Sequence, residues 1–145
     1  VRGYVDAGKR EGGELVCGGD APARPGYFFE PTVFARMRAD MTPVKSEIFG
    51  PVLCVQSFDD ADLDRVAAEA NSTIYGLSGS VWTRDIGLAM QMVRRIDAGQ
   101  VSVNMHAALD PAMPFGGNKQ SGWGREFGKE GLEPYLKTKG VSVAW

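Results

Sequence analysis

Between Val52 and Asn104 the chain alternates strand-like and helix-like segments, and this rhythm limits its possible folds more than any other feature. Val52 to Phe58 is a near-continuous apolar run of strand length, as expected for a buried strand. Asp59 or Asp60 can cap a helix through about Ala70, in which Leu63, Val66, Ala67 and Ala70 fall on one apolar face. Gly76 breaks the chain, and Leu77 to Thr83 reads as the next strand. A second helix is expected from about Asp85 to Ala98, burying Ile86, Ala89, Met90, Val93 and Ile96 and stopping at Gly99. Val101 to Asn104 follows as a short strand. Strands separated by helices of this length pair in parallel, so the expected fold class is α/β: a parallel-sheet layer with flanking helices.

The ends extend this pattern. Glu14 to Cys17 and Tyr27 to Phe34 read as strands around the turn-rich segment from Gly18 to Gly26. Glu130 to Leu136 reads as a short helix, and Thr138 to Trp145 as a final strand with Val141, Val143 and Trp145 on one side. If nothing in the chain pairs with that strand, its edge is a natural site for joining another chain. At the other end, Val1 to Arg10 looks like the middle of a helix with no capping residue before it, and the first residue is not methionine, as in a fragment.

Composition excludes several functions. A chain of 145 residues fits one domain, and 43% hydrophobic with 23% charged residues is ordinary for a soluble globular protein. A net charge of −2, with no basic run longer than Arg94-Arg95, argues against nucleic acid or a polybasic membrane contact. No apolar stretch approaches the roughly 18 residues that span a bilayer, and no signal peptide is visible. Two cysteines make no disulfide framework, so a cytoplasmic location is expected, and a single histidine assembles no metal site of the usual spacing.

Chemistry has few places to sit. Glu47 and Phe49 are two apart, so in an extended segment they face one side; a carboxylate and a ring there suit sugar hydroxyls and a flat heterocycle, or are a surface Glu beside a core Phe. Asn104 ends a strand, and the loop after it carries Met105, Leu109 and Met113 before Phe115. These four form either an apolar wall where α/β proteins place ligands or ordinary core packing. His106 reads as a polar loop histidine, Cys17 and Cys54 as structural thiols, and the acidic group from Asp59 to Asp64 as helix-start carboxylates, not a calcium loop. From Pro114 to Gly131 six glycines surround Phe115, Trp123, Arg125 and Glu126, as in a shaped loop beside a pocket or a loop wedged between elements. The spacing matches neither a Rossmann phosphate turn nor a P-loop.

Taken in order, Gly26-Tyr27-Phe28, Pro31-Thr32-Val33, Glu47-Ile48-Phe49-Gly50-Pro51-Val52, Asn71, Tyr75-Gly76-Leu77-Ser78, Asn104, Pro114-Phe115-Gly116-Gly117, Lys119, Ser121-Gly122, Gly124-Arg125-Glu126 and Gly128 carry a family likeness. The set resembles the C-terminal third of NAD(P)-dependent aldehyde dehydrogenases and covers nearly the whole chain. The resemblance implies NAD or NADP as cofactor and an aldehyde as substrate. It implies that Glu47 binds the ribose hydroxyls next to nicotinamide and that Phe49 packs near the nicotinamide ring. It further implies that Asn104 begins the substrate-entry loop, that Leu109 and Phe115 line the aldehyde tunnel, and that Glu126 helps relay protons. Residues 1–137 would then belong to the catalytic domain, and 138–145 would join a neighbouring subunit's sheet in a homo-oligomer.

The family's chemistry is attack of a cysteine thiolate on the aldehyde, hydride transfer to the cofactor, and hydrolysis of the thioester by base-activated water. Neither Cys17 nor Cys54 stands where the family carries its nucleophile. The general-base glutamate and the dinucleotide-binding domain are likewise unmatched. The isolated chain is therefore expected to be inactive. The alternative is a non-catalytic interaction module that pairs through Thr138 to Trp145.

Overall fold

The computed structural model describes residues 1–59, 62–106 and 109–145, which form two compact units, Val1–Thr73 and Ile74–Trp145. In the first, helix α1 (Arg2–Arg10) leads into strand β1 (Glu14–Cys17), followed by β2 (Thr32–Ala35), the one-turn helix α2 (Thr42–Lys45), β3 (Val52–Cys54) and α3 (Leu63–Ala70). The strands lie in the order β1-β2-β3, antiparallel across the first pair and parallel across the second. Val5, Phe34, Met37 and Met41 form the buried cluster, with Leu15, Phe29, Val44, Val52 and Cys54 packed against it. Helix α1 has Val1 at its N-cap position, which makes no side-chain cap hydrogen bond.

Two details position the loops of this unit. Gly18 has φ +68, and a Cβ there would overlap the Pro31 carbonyl oxygen, so only glycine fits the crossing. Buried Thr32 holds the same crossing: its hydroxyl donates to Glu30 O at 2.8 Å and accepts the Gly19 N–H at 2.9 Å. At the start of α2, the Glu11 carboxylate accepts both the Thr42 N–H and the Thr42 hydroxyl, each at 2.6 Å. It thereby satisfies a first-turn N–H from 31 residues away.

The second unit contains β4 (Tyr75–Gly76), β5 (Ser78–Val81), α4 (Ile86–Arg95), β6 (Gln100–Val103), β7 (Asn118–Lys119) and a single 3-10 turn (Glu133–Tyr135). Strands β5 and β6 are parallel and joined through α4, the α/β arrangement expected from the sequence. Strands β4 and β7 pair antiparallel. Asp85 caps α4, its carboxylate accepting the N–H groups of Gly87 and Leu88 at 2.8 and 3.1 Å.

Several expectations need correction. The Val52 to Phe58 run is a strand only over Val52–Cys54, and Leu53 is 58% exposed. Val52 and Cys54 pack on the cluster, so the alternating Leu53 points to the other face. Of Tyr27 to Phe34, only Thr32 onward pairs in the sheet. Helix α3 is capped by Asp62, whose carboxylate accepts the Arg65 N–H at 3.0 Å; Asp60 lies outside the described residues. Its expected face is uneven: Ala67 is buried, but Ala70 is exposed.

Along α4 the buried residues are Ala89 and Met92, whereas Ile86 and Met90 are exposed. The packed stripe is rotated toward the two-stranded β5–β6 sheet. The helix ends at Arg95, before Gly99, because Ile96 adopts extended backbone. Glu130 to Leu136 shortens to the 3-10 turn, with Pro134 inside it. Thr138 to Trp145 is exposed and joins no ladder among the described residues, so as observed it is not a strand. Its backbone has no partner segment among the described residues.

Candidate functional site

Glu47 and Phe49 occupy the loop between α2 and β3. Both are exposed, Phe49 by 86%. Phe49 has φ +48, so the segment is not extended there, and strict strand alternation does not determine which way its ring points. A bulky residue in left-handed backbone is held at a cost of roughly 1–2 kcal/mol, and such strain concentrates where a side chain must be aimed. The loop is anchored at both ends by elements on the core: Val44 in α2 and Val52 in β3 pack against the cluster.

Asn104 also has positive φ, +54, at the end of β6. Its side chain acts as an extra rung of the β5–β6 ladder. The amide nitrogen donates to Thr83 O at 2.9 Å, while the amide oxygen accepts the Thr83 N–H at 2.9 Å. The backbone N–H of Asn104 donates to Val81 O at 2.9 Å. Asn104 thus pins the start of the following loop to the segment after β5. That structural use was not visible in the sequence, where Asn104 stood out only as a strand-ending polar residue.

Past this anchor, Met105, Leu109, Met113 and Phe115 line one cavity of about 390 Å³, together with Val101 and Val103 of β6. The wall is mostly apolar, with Asp110 as its charged member. Phe115 also lines a second cavity of about 350 Å³, shared with Glu126 and Trp123. The glycine-rich segment lies between Phe115 and Glu126 and folds back on itself: each residue donates its N–H to the other's carbonyl at 2.7 Å. Two-way exchange places their side chains opposite each other on one face.

The rest of the segment is tied down by directional contacts. Ser121 Oγ accepts the Gly76 N–H at 2.9 Å, and Gln120 N–H donates to Ile74 O at 3.1 Å. The Arg125 guanidinium donates to Gly117 O, Gly124 O and Asn118 Oδ1 at 3.0, 2.7 and 2.8 Å. Asn118 Nδ2 donates to Asp97 Oδ1 at 3.0 Å, and Lys119 Nζ lies 3.7 Å from Asp97 Oδ2. Gly99 approaches Gly116 so closely that a Cβ would overlap the Gly116 carbonyl oxygen, which accounts for a glycine at that point.

The aldehyde dehydrogenase family model matches residues 1–141. The chain belongs to the aldehyde dehydrogenase family. It is 47% identical over 142 residues to the cytosolic 10-formyltetrahydrofolate dehydrogenase of Homo sapiens, covering 98% of this chain and 16% of that protein. Its structure matches the NAD-dependent aldehyde dehydrogenase of Sinorhizobium meliloti with a TM-score of 0.92 and 43% identity, over 98% of this chain and 28% of the other. The Bacillus cereus aldehyde dehydrogenase in its NAD+ complex matches with a TM-score of 0.91 and 43% identity, over the same shares. The chain therefore spans under a third of each of these proteins.

Within the family frame the two thiols differ. Both are unpaired. Half-burial pushes the Cys54 thiol above its ordinary value of 9.0, which keeps it protonated and weakly nucleophilic at neutral pH. Cys17 is exposed on β1, its sulfur 3.9 Å from Pro31 O. No described helix is long and apolar enough to cross a membrane.

Proposed function

We propose that this chain serves as the cofactor-facing and aldehyde-facing segment of a longer cytoplasmic aldehyde dehydrogenase, which oxidises an aldehyde to a carboxylic acid with NAD(P)+. The observation that carries this reading is the apolar cavity walled by Met105, Leu109, Met113 and Phe115, which suits a small uncharged carbonyl compound. Leu109 and Phe115 are its aldehyde-side walls, and Asn104 fixes the loop that carries them.

The exposed Glu47 carboxylate and Phe49 ring fit a nicotinamide riboside. An exposed carboxylate can accept hydrogen bonds from a ribose diol, and a ring held in strained backbone offers a flat apolar face. Bound NAD(P)+ supplies the hydride acceptor. The chain's own residues orient the reactants: Glu47 grips hydroxyls, Phe49 shields the ring from water, and Phe115 closes the aldehyde side. Glu126, exposed and opposite Phe115, accepts or passes a proton between bulk water and the site.

The isolated chain is inactive in this reading. Cys54 is held protonated, and Cys17 sits on the first unit's sheet with its sulfur 3.9 Å from the Pro31 carbonyl oxygen. The exposed segment from Thr138 to Trp145 suits pairing with a neighbouring subunit's sheet, which makes the enzyme a homo-oligomer.

One assay tests the proposal. In the full-length enzyme, Glu47→Gln should lower kcat/KM for the cofactor by roughly 10- to 100-fold, the equivalent of one charge-assisted hydrogen bond of about 1.5–3 kcal/mol, with thermal stability retained. The 145-residue chain, run alongside with aldehyde and NAD+, should give no NADH above the blank. Unchanged cofactor kinetics would remove Glu47 from the site. Turnover by the isolated chain that disappears on changing Cys17 or Cys54 would overturn the claim of inactivity.

A further inference from the structure

A bridge made by one residue pair is a weak device for holding two functional side chains. Isolated two-stranded pairings are marginal in water, and the Phe115–Glu126 bridge is flanked by Gly116-Gly117 on one arm and Gly122 and Gly124 on the other. We propose that Arg125 is a positioning residue that holds Phe115 and Glu126 in register, and through them the wall of the aldehyde cavity. This rests on the reading of that cavity given above.

The geometry is that of a staple. The guanidinium reaches across to the arm after Phe115, donating to Gly117 O and to Asn118 Oδ1, and also donates to Gly124 O on its own arm. One rigid planar fork therefore fixes both arms next to the bridge. An added Cβ at Gly116 would stand 2.6 Å from the Gly124 carbonyl oxygen and 2.9 Å from Arg125 Cδ, so the backbone of the opposite arm, with the Arg125 stem beside it, leaves no room for a side chain there. Asn118 is fixed in turn by Asp97, which also meets Lys119. The staple is thus tied to the segment after α4 and does not float with the loop.

Coupling follows from the pairing. Phe115 lines both cavities and Glu126 lines the second, so a slip of the bridge displaces the apolar wall and the carboxylate together. Arg125 acts through these two residues and is assigned no contact with the reactants. Lysine keeps the charge but lacks the fork, so it can satisfy only part of the three-acceptor set.

The test uses the full-length enzyme with Arg125→Ala, Arg125→Lys and Phe115→Ala. Arg125→Ala should raise the KM for aldehyde and lower kcat, each by about tenfold, as displacement of a positioned wall does, with the KM for NAD(P)+ little changed. Arg125→Lys should fall between wild type and Arg125→Ala. Amide hydrogen exchange should speed up at Phe115 and Glu126 in Arg125→Ala while the amides of α4 keep their protection. A loss of folded protein alone would lower the yield of active enzyme without moving the aldehyde KM.

An unchanged aldehyde KM in Arg125→Ala, or full protection of the two bridge amides, would overturn the proposal. If Arg125→Ala does not fold, the same two readouts on Arg125→Lys decide it. Phe115→Ala separates the two levels. If it too leaves the aldehyde KM unchanged, the cavity reading fails, whereas a raised KM in Phe115→Ala with none in Arg125→Lys or Arg125→Ala removes only the role of Arg125.

Discussion

The two units solve the problem of placing a loop in different ways. In Val1–Thr73 the loop bearing Glu47 and Phe49 runs between elements that sit on the cluster of Val5, Phe34, Met37 and Met41. In Ile74–Trp145 the buried apolar side chains among the described residues are Ala89 and Met92, and the loops bearing Asn104, Phe115 and Glu126 are fixed by hydrogen bonds and by close glycine–glycine approaches, Gly99 on Gly116 and Gly116 on Gly124. Apolar burial is strong but non-directional, so it stabilises a unit without specifying each backbone position. Hydrogen bonds contribute less per contact, yet they fix a chain to within tenths of an ångström. The first unit's loop inherits its place from a core, while the second's loops are placed one bond at a time.

The contrast can be broken most forcefully by one substitution in each unit. Phe34 is fully buried, so Phe34→Ala should cost about 3–5 kcal/mol and deprotect the amides of β1 to β3. Gly99→Ala drives a methyl into a backbone carbonyl that no rotamer change can move aside; it should cost about 3 kcal/mol and deprotect β4 and β7. Chemical unfolding with residue-resolved exchange reads both. If Gly99→Ala left stability and exchange untouched, close backbone approach would not be what holds the second unit.

A smaller effect sharpens the same point. Asn104→Ala removes both bonds to Thr83 and leaves a Cβ residue at φ +54, for a cost of about 1–2 kcal/mol. Asn104→Gly removes the same bonds but tolerates the backbone, so it should lose about 1 kcal/mol less. Equal, negligible losses in the two variants would show that the amide does not pin the loop.

The legible part of the molecule was the part governed by periodicity. The helix–strand alternation around α4 gave the parallel β5–β6 pair, because a crossover helix leaves few other options. The start of that helix near Asp85 is legible too, and Asp85 turns out to be its cap. What stayed hidden depended on partners distant in sequence. The Glu11 carboxylate on Thr42, the Asn104 rung on Thr83 and the Arg125 fork on Gly117 and Asn118 leave no local signature. By sequence Gly99 is a helix stop, because glycine commonly ends helices, whereas its neighbour in space, Gly116, is what demands it. Leu53, Ile86 and Met90 are exposed within this chain, because an apolar pattern shows which residues can be covered, not what covers them.

The least effect, and the most selective, concerns pH. The Glu11 carboxyl is held below its ordinary value of 4.5, chiefly by the Thr42 hydroxyl and then by the Thr42 N–H, both of which favour its charged form. Unfolding removes those donors, so at pH values just under 4.5 the unfolded chain binds a proton that the folded chain still refuses. The contribution is therefore complete above the unfolded value and declines as pH falls from there through the lower folded one. Glu11→Gln keeps a hydrogen-bond acceptor but cannot titrate. The stability difference between wild type and Glu11→Gln should be flat above about pH 5.5 and shrink below about pH 4.5. The reporter is the first turn of α2, where the protection factor of the Thr42 amide, corrected for the intrinsic pH dependence of exchange, should fall in acid in the wild type but show no such step in Glu11→Gln. A difference that grew on acidification would mean that the charge strains the α1–α2 contact, reversing the sign assigned to Glu11.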